Sequence, residues 1–139
     1  MRTFFVFVFS TIVFYNCQGP EEAVEPAQDD FAVFYAKFHD DSLYQMEHIQ
    51  FPLQGISSRP EDHSKTFRWQ QEDWQIHRLF DPEKSGFISD FSMIGSDLII
   101  EKIVHKNGMY AMERRFARLD GEQWYLIYYA ALHPIGAAG

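Results

Sequence analysis

The chain has 139 residues, of which 20 are acidic and 12 are basic, so its net charge is −8 at neutral pH. An acidic chain of this kind has no basic stripe with which to follow a phosphate backbone, so we do not expect a nucleic-acid-binding protein. The length predicts a single domain. Aromatic residues make up 17% of the chain, which is enough for a substantial core.

The N-terminal segment combines one basic residue, Arg2, with an apolar run from Phe4 to Tyr15. A helix of this length spans roughly 18 Å, which is less than the ~30 Å hydrocarbon core of a bilayer. A short apolar run behind a positive charge is typical of a secretory signal peptide rather than of a membrane span. We therefore predict that residues 1–16 are a signal peptide.

Cys17 is the only cysteine of the chain and follows closely on this apolar run. The next residues, QGPEEAVEPAQDD, are rich in acids and proline, so residues 17–29 are predicted to form a flexible tether. A cysteine between a signal peptide and such a tether resembles the lipobox of bacterial lipoproteins. Tyr15 and Asn16 depart from the strict lipobox, which has small residues there, although the lipoboxes of Bacteroidota are looser.

The lipobox resemblance implies that Cys17 is acylated after cleavage and anchors the protein to a membrane of the cell envelope. Each buried CH₂ group contributes about 0.8 kcal/mol, so several acyl chains give a lasting anchor. The outer membrane is the expected location, with the domain facing the periplasm or the cell exterior. The alternative is a signal peptide that is cut elsewhere and leaves Cys17 as a free thiol.

Two helices are predicted at the start of the domain. Asp29 or Asp30 is the predicted N-cap of the first helix. Ser42 and Gln45 have the spacing of a capping box, which predicts a second, short helix to about His48. The aromatic residues that recur at the i, i+3, i+4 and i+7 spacing of the first helix are Phe31, Phe34, Tyr35 and Phe38.

The middle of the chain gives weaker patterns. Pro52 limits IQFPLQG to a short edge strand, and HSKTFRW is a further candidate strand. The stretch QQEDWQIHRLF predicts a helix that ends before the Asp81-Pro82 step. On that helix Asp73 and His77 would lie one turn apart. They would form an ordinary surface pair, or the Asp73 carboxylate would orient the His77 imidazole for acid–base chemistry.

The C-terminal third predicts two consecutive hairpins. Asn107-Gly108 and Asp120-Gly121 are strong signals for two-residue turns, and they place strands at 98–105, 109–118 and 122–132. If both turns are of type I′, the first hairpin pairs Glu101 with Arg114. The other predicted pairs include Lys102 with Glu113, Ile99 with Phe116, Phe116 with Tyr125, and Met112 with Tyr129. Opposite charges face each other twice in this register, which favours it.

One face of this sheet carries the bulkier apolar residues and is predicted to pack on the helices. Its members are Ile99, Glu101, Ile103, His105, Met112, Arg114, Phe116, Tyr125, Ile127 and Tyr129. Helices followed by an antiparallel meander predict an α+β domain over residues 30–134, with a tail at 135–139.

The helices and curved antiparallel sheet resemble the nuclear-transport-factor-2-like, or cystatin-like, fold. A second similarity is carried by Phe34, Phe38, Asp41, Ser42, Gln45, Ile49, Phe51, Pro52, Leu53 and Trp69. On these residues the sequence is similar to a Bacteroidota lipoprotein family of the same superfamily, to which no activity is assigned. The resemblance implies a cone-shaped domain whose open end can hold a pocket, which some members use for isomerase or dehydratase chemistry and many for binding alone.

The six histidines do not form a metal motif, since no two of them stand at the i, i+4 spacing of a helical zinc site. We expect neither a metal nor another cofactor. His39 lies beside two aspartates at the end of the first helix. A solvated histidine that interacts with the helix dipole is the favoured interpretation there.

The predicted register places Glu101 and Arg114 together on an apolar face, and desolvated charges persist there only as a pair. We predict that they line a pocket with Tyr125 and Tyr129 nearby, while the alternative is an ion pair at the wet rim of the sheet. Trp69 and Trp74 are further pocket-lining candidates, and filling the core is the alternative role for these aromatic residues.

These features favour a non-enzymatic, membrane-tethered domain whose pocket binds a small molecule or an envelope protein. One alternative is an isomerase or hydro-lyase with a histidine–carboxylate pair at the mouth of the cone. The other is a structural subunit of an envelope complex, which a compact core without a cavity would favour.

Overall fold

The computed structural model describes residues 26–136, in which helices cover one face of a six-stranded sheet. The α+β class predicted from the sequence is therefore confirmed. The predicted signal peptide and Cys17 lie outside the described residues. Within those residues, no helix has both the length and the apolar character needed to span a bilayer.

The sheet has the strand order β2-β1-β6-β5-β4-β3. All neighbouring strands are antiparallel except β1 and β6, which run parallel. The helices are α1 (Pro26–Asp40), α2 (Ser42–Glu47) and the single turn α3 (Pro82–Ser85). The strands are β1 (Ile49–Ile56), β2 (Arg68–Trp69), β3 (Phe87–Ile94), β4 (Leu98–His105), β5 (Tyr110–Leu119) and β6 (Gln123–Pro134).

Helix α1 packs its aromatic stripe on the sheet, as its spacing predicts. The helix begins at Pro26, inside the segment predicted to be tether.

The N-cap of α2 is Asp41 and not Ser42, because the Asp41 carboxylate accepts hydrogen bonds from the backbone N–H groups of Leu43 at 3.0 Å and Tyr44 at 3.1 Å. The predicted capping box is therefore wrong. The buried core cluster consists of Phe31, Phe34, Phe38, Ile49, Leu53, Ile99, Phe116, Trp124 and Leu126.

The first hairpin has the predicted register, with Glu101 opposite Arg114 and Lys102 opposite Glu113. In the second hairpin Asp120 and Gly121 both have the positive φ of the predicted turn, at 57° and 72°. The strands nevertheless pair Leu119 with Gln123, one residue beyond the predicted register.

The one-residue shift places Phe116 opposite Leu126, and a further irregularity between Arg115 and Phe116 places Arg114 opposite Tyr129. The predicted pairs of Phe116 with Tyr125 and of Met112 with Tyr129 are therefore wrong. A one-residue shift exchanges the two faces of a strand. Trp124 and Leu126 consequently enter the core in place of the predicted Tyr125 and Ile127.

The middle of the chain differs most from the sequence prediction. Strand β1 has eight residues and is interior, although Pro52 predicted a short edge strand. Pro52 is tolerated because β2 pairs only with Leu53 and Gln54, while the pairing with β6 is interrupted between Ile49 and Gln54. The predicted helix after Trp69 is also wrong, since only a 3₁₀ turn at Gln71–Asp73 forms and residues 74–80 have no regular structure. Strand β3 was not predicted.

Candidate functional site

The centre of the site is a buried ion pair between two neighbouring strands. Arg114 on β5 donates from Nε to Glu101 Oε2 at 2.8 Å and from Nη2 to Oε1 at 3.0 Å, so the guanidinium holds the β4 carboxylate with two parallel bonds. The two side chains are 1% and 0% exposed. The predicted pair is therefore present, and the alternative of a solvated pair at the sheet rim is wrong.

Glu101 also accepts two hydrogen bonds from hydroxyl groups. Tyr35 on α1 and Ser89 on β3 each donate to Oε1 at 2.7 Å. Burial raises the pKa of Tyr35, so this phenol stays a neutral donor at physiological pH. Four donated hydrogen bonds compensate the desolvation of the carboxylate, which a buried charge requires.

His39 is buried against Arg114, with 2% of its surface exposed. Its Nδ1–H donates to the backbone oxygen of Tyr35 at 2.8 Å, which leaves Nε2 to accept from Arg114 Nη1 at 2.6 Å. Burial and the adjacent guanidinium lower the pKa of His39 to about 4. The expectation of a solvated histidine is wrong, because the helical i, i+4 spacing places His39 against the inward-facing Tyr35, with ring centroids 4.3 Å apart.

His77 approaches the same guanidinium from the irregular connection. Its Nδ1 lies 3.5 Å from Arg114 Nη1, at the long limit of a hydrogen bond. Burial, then Arg114 and His39, lower the pKa of His77 to about 3, so the imidazole is neutral. Because no helix forms here, Asp73 and His77 are not the predicted surface pair.

The Gln45 side chain fixes the backbone of His77. Gln45 Oε1 accepts from His77 N at 2.8 Å, and its Nε2 donates to His77 O at 2.8 Å and to Phe38 O at 2.7 Å. The indole of Trp74 donates to the same Oε1 at 3.2 Å. Gln45 thus satisfies both backbone polar groups of His77, in a segment that has no regular secondary structure.

A cavity of about 260 Å³ lies between this connection and the sheet. Arg114 and His77 form a polar part of its wall. The complete lining consists of Ile76, His77, Arg78, Leu79, Phe80, Ile103, Met112, Arg114 and Tyr129. The walls are mostly apolar, as is usual for a pocket that binds small molecules.

The other predicted pocket residues occupy different places. Tyr129 lines the cavity, and Trp74 packs on His77 with ring centroids 4.5 Å apart. Trp69 is not part of the cavity lining but contacts Tyr129, because its indole N–H donates to the Tyr129 backbone oxygen at 2.9 Å. Tyr125 is not part of this site, because the shifted register turns it towards His48, on which it stacks. Sequence reasoning missed the roles of His39, His77, Tyr35 and Gln45.

A second, more open cleft of about 550 Å³ lies at β1, where Tyr128 and the exposed cations Lys65 and Arg68 form part of its wall. Tyr128 and Tyr129 are neighbours in β6 and therefore point to opposite faces of the sheet, which separates this cleft from the Arg114 cavity. Among the residues that the structure describes, no group of three histidine, cysteine, aspartate or glutamate side chains converges to hold a metal ion.

The two lowered histidine pKa values make stability depend on pH. The unfolded chain binds protons near the ordinary histidine pKa of 6.5, whereas folded His39 and His77 stay neutral down to about 4 and 3. The unfolding free energy should therefore be constant above about pH 7.5 and fall as the pH drops from about 6.5 to 4. Urea titrations across this range measure the slope.

A His39→Gln variant keeps an acceptor for Arg114 but cannot be protonated, so its slope should decrease by close to one proton. His63→Gln is the matched control, since His63 lies in a distant connection where it contacts Ser57 O. An unchanged slope in His39→Gln would contradict the assignment of the acid sensitivity to this site.

The helix-covered, unclosed sheet with a polar cluster on its covered face defines a domain of the nuclear-transport-factor-2-like, or cystatin-like, fold. A cystatin-like protein from Bacteroides caccae is similar over 72% of this chain and 74% of its own, with a TM-score of 0.53 and 18% identity. A nuclear-transport-factor-2-like protein from Bacteroides fragilis is similar over 79% of this chain, with a TM-score of 0.54 and 18% identity. This chain spans 48% of the latter protein's length.

Identity at this level shows the fold alone. No protein-family model and no curated protein sequence matches the chain.

Proposed function

We propose that this domain binds a small molecule in the cavity beside Arg114. The supporting observation is that mostly apolar walls line a partly open cavity of about 260 Å³ and include the fully buried guanidinium of Arg114. This volume is below the ~300–1,000 Å³ typical of drug-sized ligands, so the ligand is small. The site has the composition expected of a binding pocket, in which apolar walls supply affinity and a few polar groups fix orientation.

Binding is favoured over acid–base catalysis by the state of the polar groups. A general base works best when its pKa lies near the working pH. The pKa of His77 is lowered to about 3, which makes it a weak base, and Glu101 already accepts four hydrogen bonds from neighbouring side chains. The cavity also favours binding over a purely structural role, because a structural subunit would function equally well with a filled core.

The binding proposal predicts that filling the cavity abolishes ligand binding. Met112 lines the cavity, so Met112→Trp should remove the binding of a neutral probe such as hexan-1-ol, detected by ligand-observed NMR. Met109→Trp is the matched control, because Met109 is exposed in the hairpin turn. Binding of hexan-1-ol that is equal in both variants, or that is absent from the parent protein, would contradict the proposal.

We further propose that acylated Cys17 tethers this domain to a membrane of the cell envelope, with the outer membrane as the expected one. The support is the position of the single cysteine between an apolar run and an acidic, proline-containing segment. A protein of the envelope is the alternative occupant of the pocket.

The anchor proposal predicts that Cys17→Ala moves the protein from the membrane fraction to the soluble envelope fraction, since no acyl chain can then be attached. Fractionation and labelling with radioactive palmitate measure this change, and the Met109→Trp variant should stay labelled and membrane-bound. A Cys17→Ala protein that keeps both the label and the membrane association would show that the anchor lies elsewhere.

A further inference from the structure

We propose that the ligand is an amphiphilic carboxylate, whose head group binds to Arg114 and His77 together with one proton taken from solvent. The inference rests on the proposed binding function and adds the chemical class of the ligand and the protonation that accompanies its capture.

The first argument is the use of the Arg114 donors. Nε and Nη2 are occupied by Glu101, and Nη2 also lies 3.3 Å from the Tyr35 hydroxyl. One Nη1 hydrogen binds His39 at 2.6 Å. The other faces only the distant His77 Nδ1 at 3.5 Å, on the side where both residues line the cavity. An acceptor oxygen from a ligand would satisfy this donor better than the imidazole does.

The second argument is charge balance. The Arg114 charge is already neutralised by Glu101. Arg78 also lines the cavity, but its guanidinium donates to the backbone oxygens of His39 and Asp40 and to Ser42 Oγ, away from Arg114. A second anion placed directly beside Arg114 is therefore best balanced by a neighbouring group that gains a proton. His77 is placed to do so, because its Nδ1 faces the same space. Protonated Nδ1–H and Arg114 Nη1–H would then both donate to the incoming carboxylate, which is the strong type of hydrogen bond.

The surroundings of His77 explain why the proton arrives with the anion and not before. Without a ligand, burial and the cationic Arg114 keep the imidazole neutral. A carboxylate bound between them reverses the local field, because an opposite charge within hydrogen-bond distance favours the protonated form. The groups that face this imidazole are Arg114 from β5, His39 from α1, Tyr129 from β6 and Trp74 from its own connection, while Glu101 lies behind Arg114.

The third argument is the chemistry of the remaining wall. Leu79, Phe80 and Ile103 together with Met112 would contact the body of the ligand and offer it no charge. A strongly hydrated inorganic anion gains nothing from such walls, whereas each buried CH₂ group of an aliphatic chain contributes about 0.8 kcal/mol. The site therefore fits a small monocarboxylate with an apolar tail.

Titration calorimetry on the purified full chain tests the inference with hexanoate, hexanamide and hexan-1-ol at pH 5.5 and pH 8.0. Hexanoate should bind at least tenfold more tightly at pH 5.5 than at pH 8.0. Two buffers of different ionisation enthalpy should report the uptake of close to one proton. Hexanamide and hexan-1-ol should bind more weakly than hexanoate at pH 5.5, without dependence on pH.

His77→Asn should abolish the proton uptake and reduce hexanoate affinity at pH 5.5 to that of hexanamide, while the binding of hexan-1-ol persists. His63→Asn is the control and should behave like the parent protein. Proton uptake that persists in His77→Asn would place the proton on the ligand and overturn the inference. Neutral probes that bind in the cavity as tightly as hexanoate would also overturn it and leave the binding function intact, whereas failure of all three probes would remove both proposals.

Discussion

Replacing Arg114 with alanine should lower the free energy of unfolding by about 3–5 kcal/mol, the usual cost of removing one partner from a buried ion pair. Glu101 would keep the hydroxyl donors Tyr35 and Ser89, but its charge would lie uncompensated in a site where it is 0% exposed. His39 would also lose the donor to its Nε2. Urea denaturation at pH 7.5, where both histidines are neutral, measures the loss.

Two further variants separate the buried charge from a general effect of shortening the side chain. Arg115→Ala is the matched control, because Arg115 is the next residue of β5 and pairs with Glu113 at 2.6 Å, yet its side chain is 42% exposed. It should cost about 1 kcal/mol. Combining Glu101→Gln with Arg114→Met removes both charges and keeps most of the volume, so this double variant should be more stable than Arg114→Ala. An Arg114→Ala protein as stable as Arg115→Ala would show that the pair is not desolvated in solution.

The ion pair was predictable because the first hairpin contains local and mutually consistent signals. The Asn107-Gly108 turn fixes the pairing of β4 and β5, and the strand period of two then places Glu101 and Arg114 on one face. The apolar residues on the same face indicate that this face is buried. Turn, pairing and burial can all be inferred from some twenty consecutive residues, without knowledge of distant parts of the chain.

The second hairpin shows where such local reasoning stops. Asp120 and Gly121 adopt the turn that the sequence predicts, but the irregularity between Arg115 and Phe116 has no signal of its own in the sequence. This irregularity lets Leu126 and Tyr129, which are three residues apart on β6, lie on one face opposite Phe116 and Arg114. Tyr125 leaves the covered face earlier, through the one-residue shift that pairs Leu119 with Gln123 at the turn. The contacts of Phe31 on α1 with Phe116 and Trp124 favour this register, and the strand pattern alone does not reveal them.

The two histidines of the site differ in how far the sequence reveals them. His39 could have been found from its i, i+4 relation to the inward-facing Tyr35, which places it beside the aromatic stripe. His77 carries no such signal, because its position depends on hydrogen bonds to Gln45, 32 residues earlier in the chain. Its apolar and aromatic neighbours produce a helical pattern in the sequence, although residues 74–80 have no regular secondary structure.

Replacing Gln45 with methionine should destabilise the protein by about 3 kcal/mol, because several buried polar groups lose their partner at once. The backbone N–H and C=O of His77, the carbonyl of Phe38 and the indole N–H of Trp74 all bond to this one amide, which is 0% exposed. Methionine has a similar volume, so the loss reflects hydrogen bonding and not a cavity. Residues 74–80 should lose protection first, since they have no regular secondary structure.

Hydrogen exchange distinguishes this local effect from a uniform loss of stability. In Gln45→Met the amide of His77 should exchange at least tenfold faster under conditions in which the amides of β5 remain protected. Gln71→Met is the matched control, because Gln71 is exposed in the same connection, and it should change stability by less than about 0.5 kcal/mol. If the His77 amide exchanged at the parent rate in Gln45→Met, the connection would be held by its apolar contacts alone. The wall of the cavity that carries His77 would then not depend on the amide of α2.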